Sequence, residues 1–140
     1  MLFFSADDGT HGRELWKSDG SAAGTSMVKD IIPGTSGTGP RDLINVNGTL
    51  FFSIDDGTHG WELWMSDGTD AGTAMVLDVN PGSTGSGPED LTSFGGILYF
   101  TADDGLHGTE LWRTDGTLGG TVMVKDINPG AANGIRYWPA

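Results

Sequence analysis

The sequence contains no cysteine among its 140 residues, so disulfide bonds, thiol catalysis and thiolate metal sites are excluded. Positive charge is also scarce, because 7 lysines and arginines stand against 19 aspartates and glutamates, giving a net charge of −12. Such a surface repels phosphate groups, so nucleic acid and anionic lipid are poor partners. No apolar run approaches the roughly 20 residues of a membrane span, and the N-terminus has no signal-peptide pattern, so we expect no membrane insertion.

Helical periodicity is absent as well, whereas glycine is abundant. The chain has 24 glycines, against a usual share of about 7%. Without a Gly-X-Y period they do not indicate collagen. They stand at fixed places between short apolar runs, as turn residues do. The composition therefore predicts an all-β protein with almost no helix.

Glycines, tryptophans and acids recur with a period of 48 residues. Roughly 30 of the 48 positions are identical between the first two units. The segments "ELWKSDGSAAGT", "ELWMSDGTDAGT" and "ELWRTDGTLGGT" begin at Glu14, Glu62 and Glu110. We predict a single repeat domain over 1–140, in which the third repeat is short and diverges after residue 130; the repeats span 2–49, 50–97 and 98–140.

Each complete unit predicts four short strands separated by turns. In the middle of the chain these strands are Asp42–Val46, Thr49–Ile54, Trp61–Ser66 and Thr73–Val79. The dipeptide Asn47-Gly48 is a strong signal for a type I′ hairpin turn. The first unit has no counterpart of the strand Asp42–Val46. The expected order along the chain is therefore three strands, then four, then four.

Four short antiparallel strands in about 48 residues match one blade of a β-propeller. A plain β-sandwich is the alternative, but near-identical units more naturally occupy equivalent positions around an axis. We predict a β-propeller of four-stranded antiparallel blades, with about three repeats per chain. Because propellers typically have 4 to 8 blades, we expect a second copy to complete a six-bladed ring as a homodimer. The tail Gly134–Trp138 is expected to supply a strand to the partner's first blade.

Two adjacent aspartates and a histidine recur in the loop "DDGxHG" of every repeat. Calcium takes six to eight oxygen ligands, whereas a transition metal would recruit the histidine. The alternative is a structural turn in which the aspartates accept backbone N–H bonds, and this is favoured because Asp-Gly is common turn chemistry. No cofactor is predicted, with calcium as the alternative. The candidate metal ligands are Asp7, Asp8, His11, Asp55, Asp56, His59, Asp103, Asp104 and His107.

A second group of candidates lies on the third predicted strand of each unit. A carbohydrate site would stack tryptophan on a sugar ring and use the carboxylates to bind its hydroxyls. Packing of the tryptophans between blades is favoured, because buried aromatics outnumber binding aromatics. A variable column beside the motif is expected to decide recognition if there are fewer sites than repeats. The candidate ligand-binding residues are the variable Arg13, Trp61 and Thr109 and the constant Glu14, Glu62, Glu110, Trp16, Trp64 and Trp112.

Catalysis is not predicted. An active site normally needs one asymmetric arrangement, and here every candidate group is present three times in near-identical settings. No nucleophile-elbow, zinc-protease, P-loop or dinucleotide-binding signature is present. The sequence therefore indicates a protein that is not an enzyme.

The segments "ELWKSDGS", "ELWMSDGT" and "ELWRTDGT", followed by "GTSMVKDI", "GTAMVLDV" and "GTVMVKDI", resemble the bacterial repeat family named for its E-L-W-x-x-D-G-T signature. The resemblance covers all but the last ten or so residues, and Ser21 replaces the signature threonine in the first repeat. It implies a bacterial source, an extracellular or cell-surface location and a β-propeller-like fold. It implies no enzymatic activity.

Three functions follow as hypotheses. The first is a non-enzymatic binding or adhesion module with equivalent sites on its blades, for which a glycan on a polymeric surface suits multivalent binding. The second is a structural fragment that assembles into closed homo-oligomeric rings. The third is a calcium-stabilised extracellular module.

Overall fold

The computed structural model describes residues 1–136, in which eleven β-strands and no helix are present. Within this part of the chain there is therefore no helix able to cross a membrane. The predicted tail strand lies partly outside the described residues, and its described part, 134–136, is not in a strand. The strands are β1 (Leu2–Asp7), β2 (Arg13–Ser18), β3 (Ser26–Lys29), β4 (Arg41–Val46), β5 (Thr49–Asp55), β6 (Trp61–Ser66), β7 (Ala74–Leu77), β8 (Glu89–Phe94), β9 (Ile97–Asp103), β10 (Thr109–Thr114) and β11 (Val122–Lys125).

The strands form three antiparallel sheets in which every strand pairs with its neighbour in the chain. The first sheet holds β1 to β3, the second β4 to β7 and the third β8 to β11. This confirms the all-β prediction and the expected order of three, four and four strands. Each four-stranded sheet crosses a repeat boundary, because β4 and β8 precede the residues at which the second and third repeats begin.

Local turn chemistry explains most of the strand boundaries. Asn47 and Gly48 have φ of 53° and 90°, the positive values that a type I′ turn requires, and they join β4 to β5. The last strand of the second sheet is shorter than the predicted Thr73–Val79. It ends at Leu77 because the backbone N–H of Val79 turns away to donate to the side chain of Glu62.

The second sheet is packed on both of its faces. Side chains alternate along β5, so Phe52 contributes to an apolar cluster with the first sheet and Phe51 to a cluster with the third. Leu50 to Ile54 are consequently all buried, so this strand is covered on both of its faces. The first and third sheets each have one face against the second sheet. Strands β4 and β8, the first of their sheets, also lie side by side.

Candidate functional site

The glutamate of the "ELW" motif is buried in each of the three sheets and binds the segment that leaves the sheet. Glu14 accepts hydrogen bonds from the backbone N–H groups of Ile31 (2.9 Å) and Ile32 (2.8 Å). Both groups follow β3, where the chain departs from the first sheet. Burial raises the pKa of Glu14, while these two N–H donors oppose the rise. Its carboxylate therefore anchors the connection between the first and second sheets.

Glu62 has the richest set of partners among the three glutamates. Its carboxylate accepts bonds from the backbone N–H groups of Val79, Asn80 and Ser86 and from the Ser86 hydroxyl at 2.6 Å. Glu110 binds the N–H groups of Ile127 (3.1 Å) and Gly134 (2.9 Å) in the same way. The structure thus places these candidate ligand-binding residues in the interior, where their oxygens are used by the protein's own backbone.

The tryptophans of the motif are also mainly packing residues. Trp64 belongs to the cluster between the first and second sheets, and Trp112 to the cluster between the second and third. Trp16 is half-buried in the first sheet. Within residues 1–136 their indole N–H groups are buried without a hydrogen-bond acceptor. This arrangement favours the packing interpretation of the tryptophan column over a sugar platform.

The rest of the motif forms a hydrogen-bonded turn. In the second sheet, Asp67 accepts bonds from the backbone N–H and the hydroxyl of Thr69, and the Thr69 hydroxyl accepts one from Gly72 N–H at 2.9 Å. A Cβ at Gly72 would overlap the Asp67 carboxylate. The same contacts recur in the other two sheets. The spacing D-G-T-x-x-G is therefore a structural requirement of this turn.

The "DDGxHG" loops form turns closed by an aspartate–histidine pair. Asp56 Oδ1 accepts the backbone N–H groups of Thr58 and His59, and Asp56 Oδ2 lies 2.7 Å from His59 Nδ1. Asp55 accepts only the N–H of Gly57. The loops at 7–12 and 103–108 repeat this geometry. Within residues 1–136 no three acidic or histidine side chains converge on a point suited to a metal ion.

These pairs shift the pKa of both partners. Hydrogen bonds from His11 and Thr10 lower the pKa of Asp8 to about 2, and the bond to Asp8 raises that of His11 above 6.5. For Asp56, burial would raise the pKa, but the hydrogen bonds from His59 and Thr58 outweigh it and the pKa is lowered. The histidine contribution to stability is therefore present below pH 6.5 and lost as pH rises through the raised value. The Asp8 contribution is present above pH 3.8 and lost as pH falls towards 2.

Replacing Asp56 with asparagine should lower the pKa of His59 towards 6.5, because the side-chain bond to Asp56 is the main cause of its rise. The pKa values of the other two histidines should stay raised, since each has its own aspartate. NMR titration of the three histidine ring signals measures this directly. Asp55→Asn removes the same charge one residue away and serves as the control. An unchanged His59 pKa in Asp56→Asn would contradict the pairing.

Two clefts lie at equivalent places on the second and third sheets, and each has a repeat-equivalent aspartate and hydroxyl in its wall. The cleft of the second sheet has a volume of about 220 Å³ and is lined by Arg41, Asp42, Ser53, Trp61, Gly87, Pro88 and Glu89. The cleft of the third sheet has a volume of about 300 Å³ and is lined by Glu89, Asp90, Thr101, Thr109, Asn133, Ile135 and Arg136. Six of these lining positions correspond with an offset of 48 residues: 41 and 89, 42 and 90, 53 and 101, 61 and 109, 87 and 135, and 88 and 136.

A β-bulge aims the aspartate of each cleft. The pairing of β4 with β5 is irregular between Arg41 and Ile44, and that of β8 with β9 between Glu89 and Thr92. Asp42 and Asp90, inside these bulges, have φ of 54° and 56°, which non-glycine residues rarely adopt. Such bulges re-aim side chains and are over-represented next to functional sites.

Each aspartate faces a hydroxyl, and the remaining walls differ. Asp42 Oδ2 lies 3.5 Å from Ser53 Oγ, and Asp90 Oδ2 lies 3.5 Å from Thr101 Oγ1. In the second sheet the Arg41 guanidinium stacks on the Trp61 ring, 4.3 Å from its centroid.

Of the residues proposed from sequence, the clefts therefore include Trp61 and Thr109. Arg13 is at the same position of the first sheet, where it is exposed. On the face that carries Arg13, Leu15 and Leu63 are fully buried by the neighbouring sheet, whereas Leu111 at the same position of the third sheet is half-buried.

Asp42 and Asp90 were not among the candidates from sequence. Their signal was weak, because "RDL" and "EDL" are ordinary strand beginnings and nothing in them marks a bulge. Of the 19 acids, however, 15 recur at equivalent positions in all three repeats, and Asp42 and Asp90 are among the four that do not. Comparisons with protein-family models, with curated proteins and with solved structures find no match for this chain.

Proposed function

We propose that the protein is a non-enzymatic binding module of β-propeller type, located outside the cell or on its surface, which recognises a glycan through one cleft per four-stranded sheet. The observation that carries the proposal is the pair of equivalent clefts, each with an aspartate held at positive φ beside a hydroxyl. This pairing comes at a cost to the sheet. The bulges that create it interrupt the ladder of hydrogen bonds between strands.

The chemistry of the clefts suits a neutral polyhydroxylated ligand. An ionised aspartate accepts hydrogen bonds from sugar hydroxyls, while Ser53 and Thr101 can both donate and accept. Each cleft also holds an arginine, Arg41 in one and Arg136 in the other, whose guanidinium donates to ring and hydroxyl oxygens. The net charge of −12 disfavours anionic glycans.

Differences between the clefts support different preferences at the two sites. Trp61 gives the cleft of the second sheet an aromatic wall, on which Arg41 is stacked. Thr109 takes the position of Trp61 in the third sheet, so that cleft has no tryptophan in its wall, while both clefts hold two carboxylates and one arginine. Two weak sites on one rigid body increase the apparent affinity for a polymeric ligand, because the second contact forms at a high effective concentration.

The propeller arrangement is proposed from the connections of the sheets. Each is a meander of neighbouring strands, and their first strands β4 and β8 lie side by side, as the inner strands of adjacent blades do. The second sheet is packed on both faces by equivalent neighbours. A sheet with this environment matches a blade within a ring.

The function is tested by screening the protein on an array of neutral polysaccharides and oligosaccharides, followed by calorimetry with the strongest ligand. We expect two sites per chain, falling to one in Asp42→Asn and one in Asp90→Asn. The loss of a charged hydrogen bond, about 1.5 to 3 kcal/mol, corresponds to a loss of roughly ten-fold or more in affinity at the altered cleft.

Asp7→Asn provides the matched control, because it makes the same change of charge in an exposed loop that is not part of either cleft. Its binding should equal that of the unaltered chain. Absence of binding across the array, or equal loss of binding in all three variants, would contradict the proposal.

A further inference from the structure

Within residues 1–136, the third sheet has an uncovered face whose counterpart in the second sheet is buried. Val124 is 47% exposed and Phe94 is 73% exposed. Their counterparts 48 residues earlier, Val76 and Val46, are 7% and 6% exposed, because the third sheet covers them. Ile127 and its buried counterpart Val79 repeat the pattern. The third sheet thus presents the side chains of a sheet-to-sheet interface without a neighbour.

The first sheet leaves the complementary face uncovered. Leu2 is 64% exposed, whereas its counterpart Leu50 is 4% exposed against the first sheet. Trp16 is half-buried, and its counterpart Trp64 belongs to the same cluster as Leu50. The first and third sheets therefore expose the two opposite faces that pack against each other where neighbouring sheets meet within the chain.

Aromatic residues that cover glycines identify how the two faces fit. The ring of Phe3 lies 3.2 Å from the position of a Cβ at Gly68, and the ring of Phe51 lies 3.4 Å from one at Gly116. Gly20 is the counterpart of these glycines in the first sheet, and no atom lies within 4 Å of its Cβ position. The aromatic counterpart in the third sheet is Tyr99, on the uncovered face. Tyr99 therefore has no glycine beneath it, and Gly20 has no aromatic ring above it, among the described residues.

Basic residues at the boundary between sheets also have counterparts on the uncovered face of the third sheet. Lys17 Nζ donates to the carbonyl oxygen of Gly68 at 2.7 Å, and Lys29 Nζ lies 3.0 Å from Asp70 Oδ1, both across the boundary between the first two sheets. In the third sheet, Arg113 and Lys125 occupy the positions of these two lysines. The second sheet has the uncharged Met65 and Leu77 there. Lys29 Nζ also donates to the carbonyl oxygen of Asp70 at 3.3 Å, and the counterpart of Asp70 in the first sheet is Ala22, so Arg113 and Lys125 suit a neighbouring turn that offers carbonyl oxygens.

We infer that a second copy of this chain docks head to tail, its first sheet covering the third sheet of its partner. The interface repeats the one between the first and second sheets, with Tyr99 over the partner's Gly20 and with Arg113 and Lys125 at the partner's turn 19–24. The contact joins different faces of the two copies. It therefore forms a closed ring when the rotation that relates the copies brings the second pair of faces together as well. Two copies supply six sheets, within the usual 4 to 8 of a propeller. This assembly is independent of glycan binding.

The test is the mass of the whole chain in solution, measured by light scattering after size-exclusion chromatography at about 20 μM. We expect twice the monomer mass for the unaltered chain. Leu2→Asp and Val124→Asp should each give the monomer mass, because each removes one half of both ring contacts. Leu106→Asp alters an apolar residue of similar exposure (71%) in a loop outside both faces and should remain a dimer.

A mixture of the two variants separates head-to-tail docking from other arrangements. The third sheet of Leu2→Asp and the first sheet of Val124→Asp are intact, so an equimolar mixture at about 200 μM should recover the dimer mass through that single contact. Far-UV circular dichroism checks that each variant is folded, and Arg113→Glu replaces Val124→Asp if it is not. A monomeric unaltered chain, a dimeric Leu2→Asp or a mixture that stays monomeric would each overturn the inference.

Discussion

Replacing Glu62 with alanine is expected to lower the free energy of unfolding by at least about 3 kcal/mol, because each buried donor left without its acceptor costs about 1 to 3 kcal/mol. Glu62 is fully buried and accepts four hydrogen bonds. Alanine would leave three backbone N–H groups and the Ser86 hydroxyl without their acceptor. Urea denaturation at pH 7, followed by tryptophan fluorescence, measures the loss.

Glu14→Ala is the matched comparison, since Glu14 is equally buried but accepts only the bonds from Ile31 and Ile32. Its loss should be smaller than that of Glu62→Ala. Glu62→Gln keeps the volume and one acceptor oxygen, so its effect should lie between those of the unaltered chain and Glu62→Ala. A loss below about 1 kcal/mol in Glu62→Ala, the net value of a single ordinary hydrogen bond, would show that the carboxylate does not anchor the segment.

The order and number of strands could be predicted because their causes are local. Asn47-Gly48 requires positive φ at both residues, and this alone places the end of one strand and the start of the next. The run from Thr49 to Ile54 is β-branched and aromatic, and it is apolar on both faces because another sheet lies on each side. Short-range turn chemistry and apolar pattern suffice for elements of this kind.

The role of Glu14 could not be predicted, because its partners are distant in sequence. Alternation along a strand places Glu14 beside Trp16, which suggested a joint binding role. The groups that it binds are 17 and 18 residues further on, in a segment with no regular structure of its own. The recurrence of the glutamate every 48 residues indicates that each repeat uses it in the same way, but it does not show which groups the glutamate contacts.

The clefts were hidden for a different reason. Asp42 lies in a segment that predicts an uninterrupted strand, and its positive φ arises from a bulge that no residue type announces. The variable column did point to Trp61 and Thr109. From the sequence they were only variable neighbours of the motif. The structure places Trp61 beside Asp42 of β4 and Thr109 beside Asp90 of β8, each against the connecting segment.

The second glycine of each "DDGxHG" loop also gains its meaning from a distant segment. Gly60 approaches Gly85, and a Cβ on Gly60 would lie 2.6 Å from the backbone N of Gly85. Gly12 and Gly108 are similarly close to the segments that follow their own sheets. The first glycine of the loop also has positive φ, but no atom lies within 4 Å of the Cβ position at Gly9 or Gly57, and only the Asn80 side chain does at Gly105. The two glycines look alike in sequence and differ only in what crosses over them.

That difference predicts a large effect for Gly85→Ala. The added Cβ would collide with the backbone of Trp61 and Gly60, which are held by β6 and cannot move as a side chain could. Gly85 also has φ of 71°, where alanine is strained by about 1 to 3 kcal/mol, and overpacking adds about 1 to 3 kcal/mol. We therefore expect the free energy of unfolding to fall by about 2 to 6 kcal/mol, measured by urea denaturation.

Gly57→Ala separates the two contributions, because Gly57 has φ of 81° and no atom within 4 Å of its Cβ position. It should lose only the backbone part, about 1 to 3 kcal/mol. The excess loss in Gly85→Ala then measures how tightly the connecting segment is pressed onto the start of β6. That segment also holds Ser86, which bonds to Glu62, and Gly87, which lines the cleft of the second sheet. The same collision should therefore weaken the proposed glycan binding at this cleft and leave the cleft of the third sheet unchanged. Equal losses in the two variants would mean that the segment moves freely and that the close approach stabilises nothing.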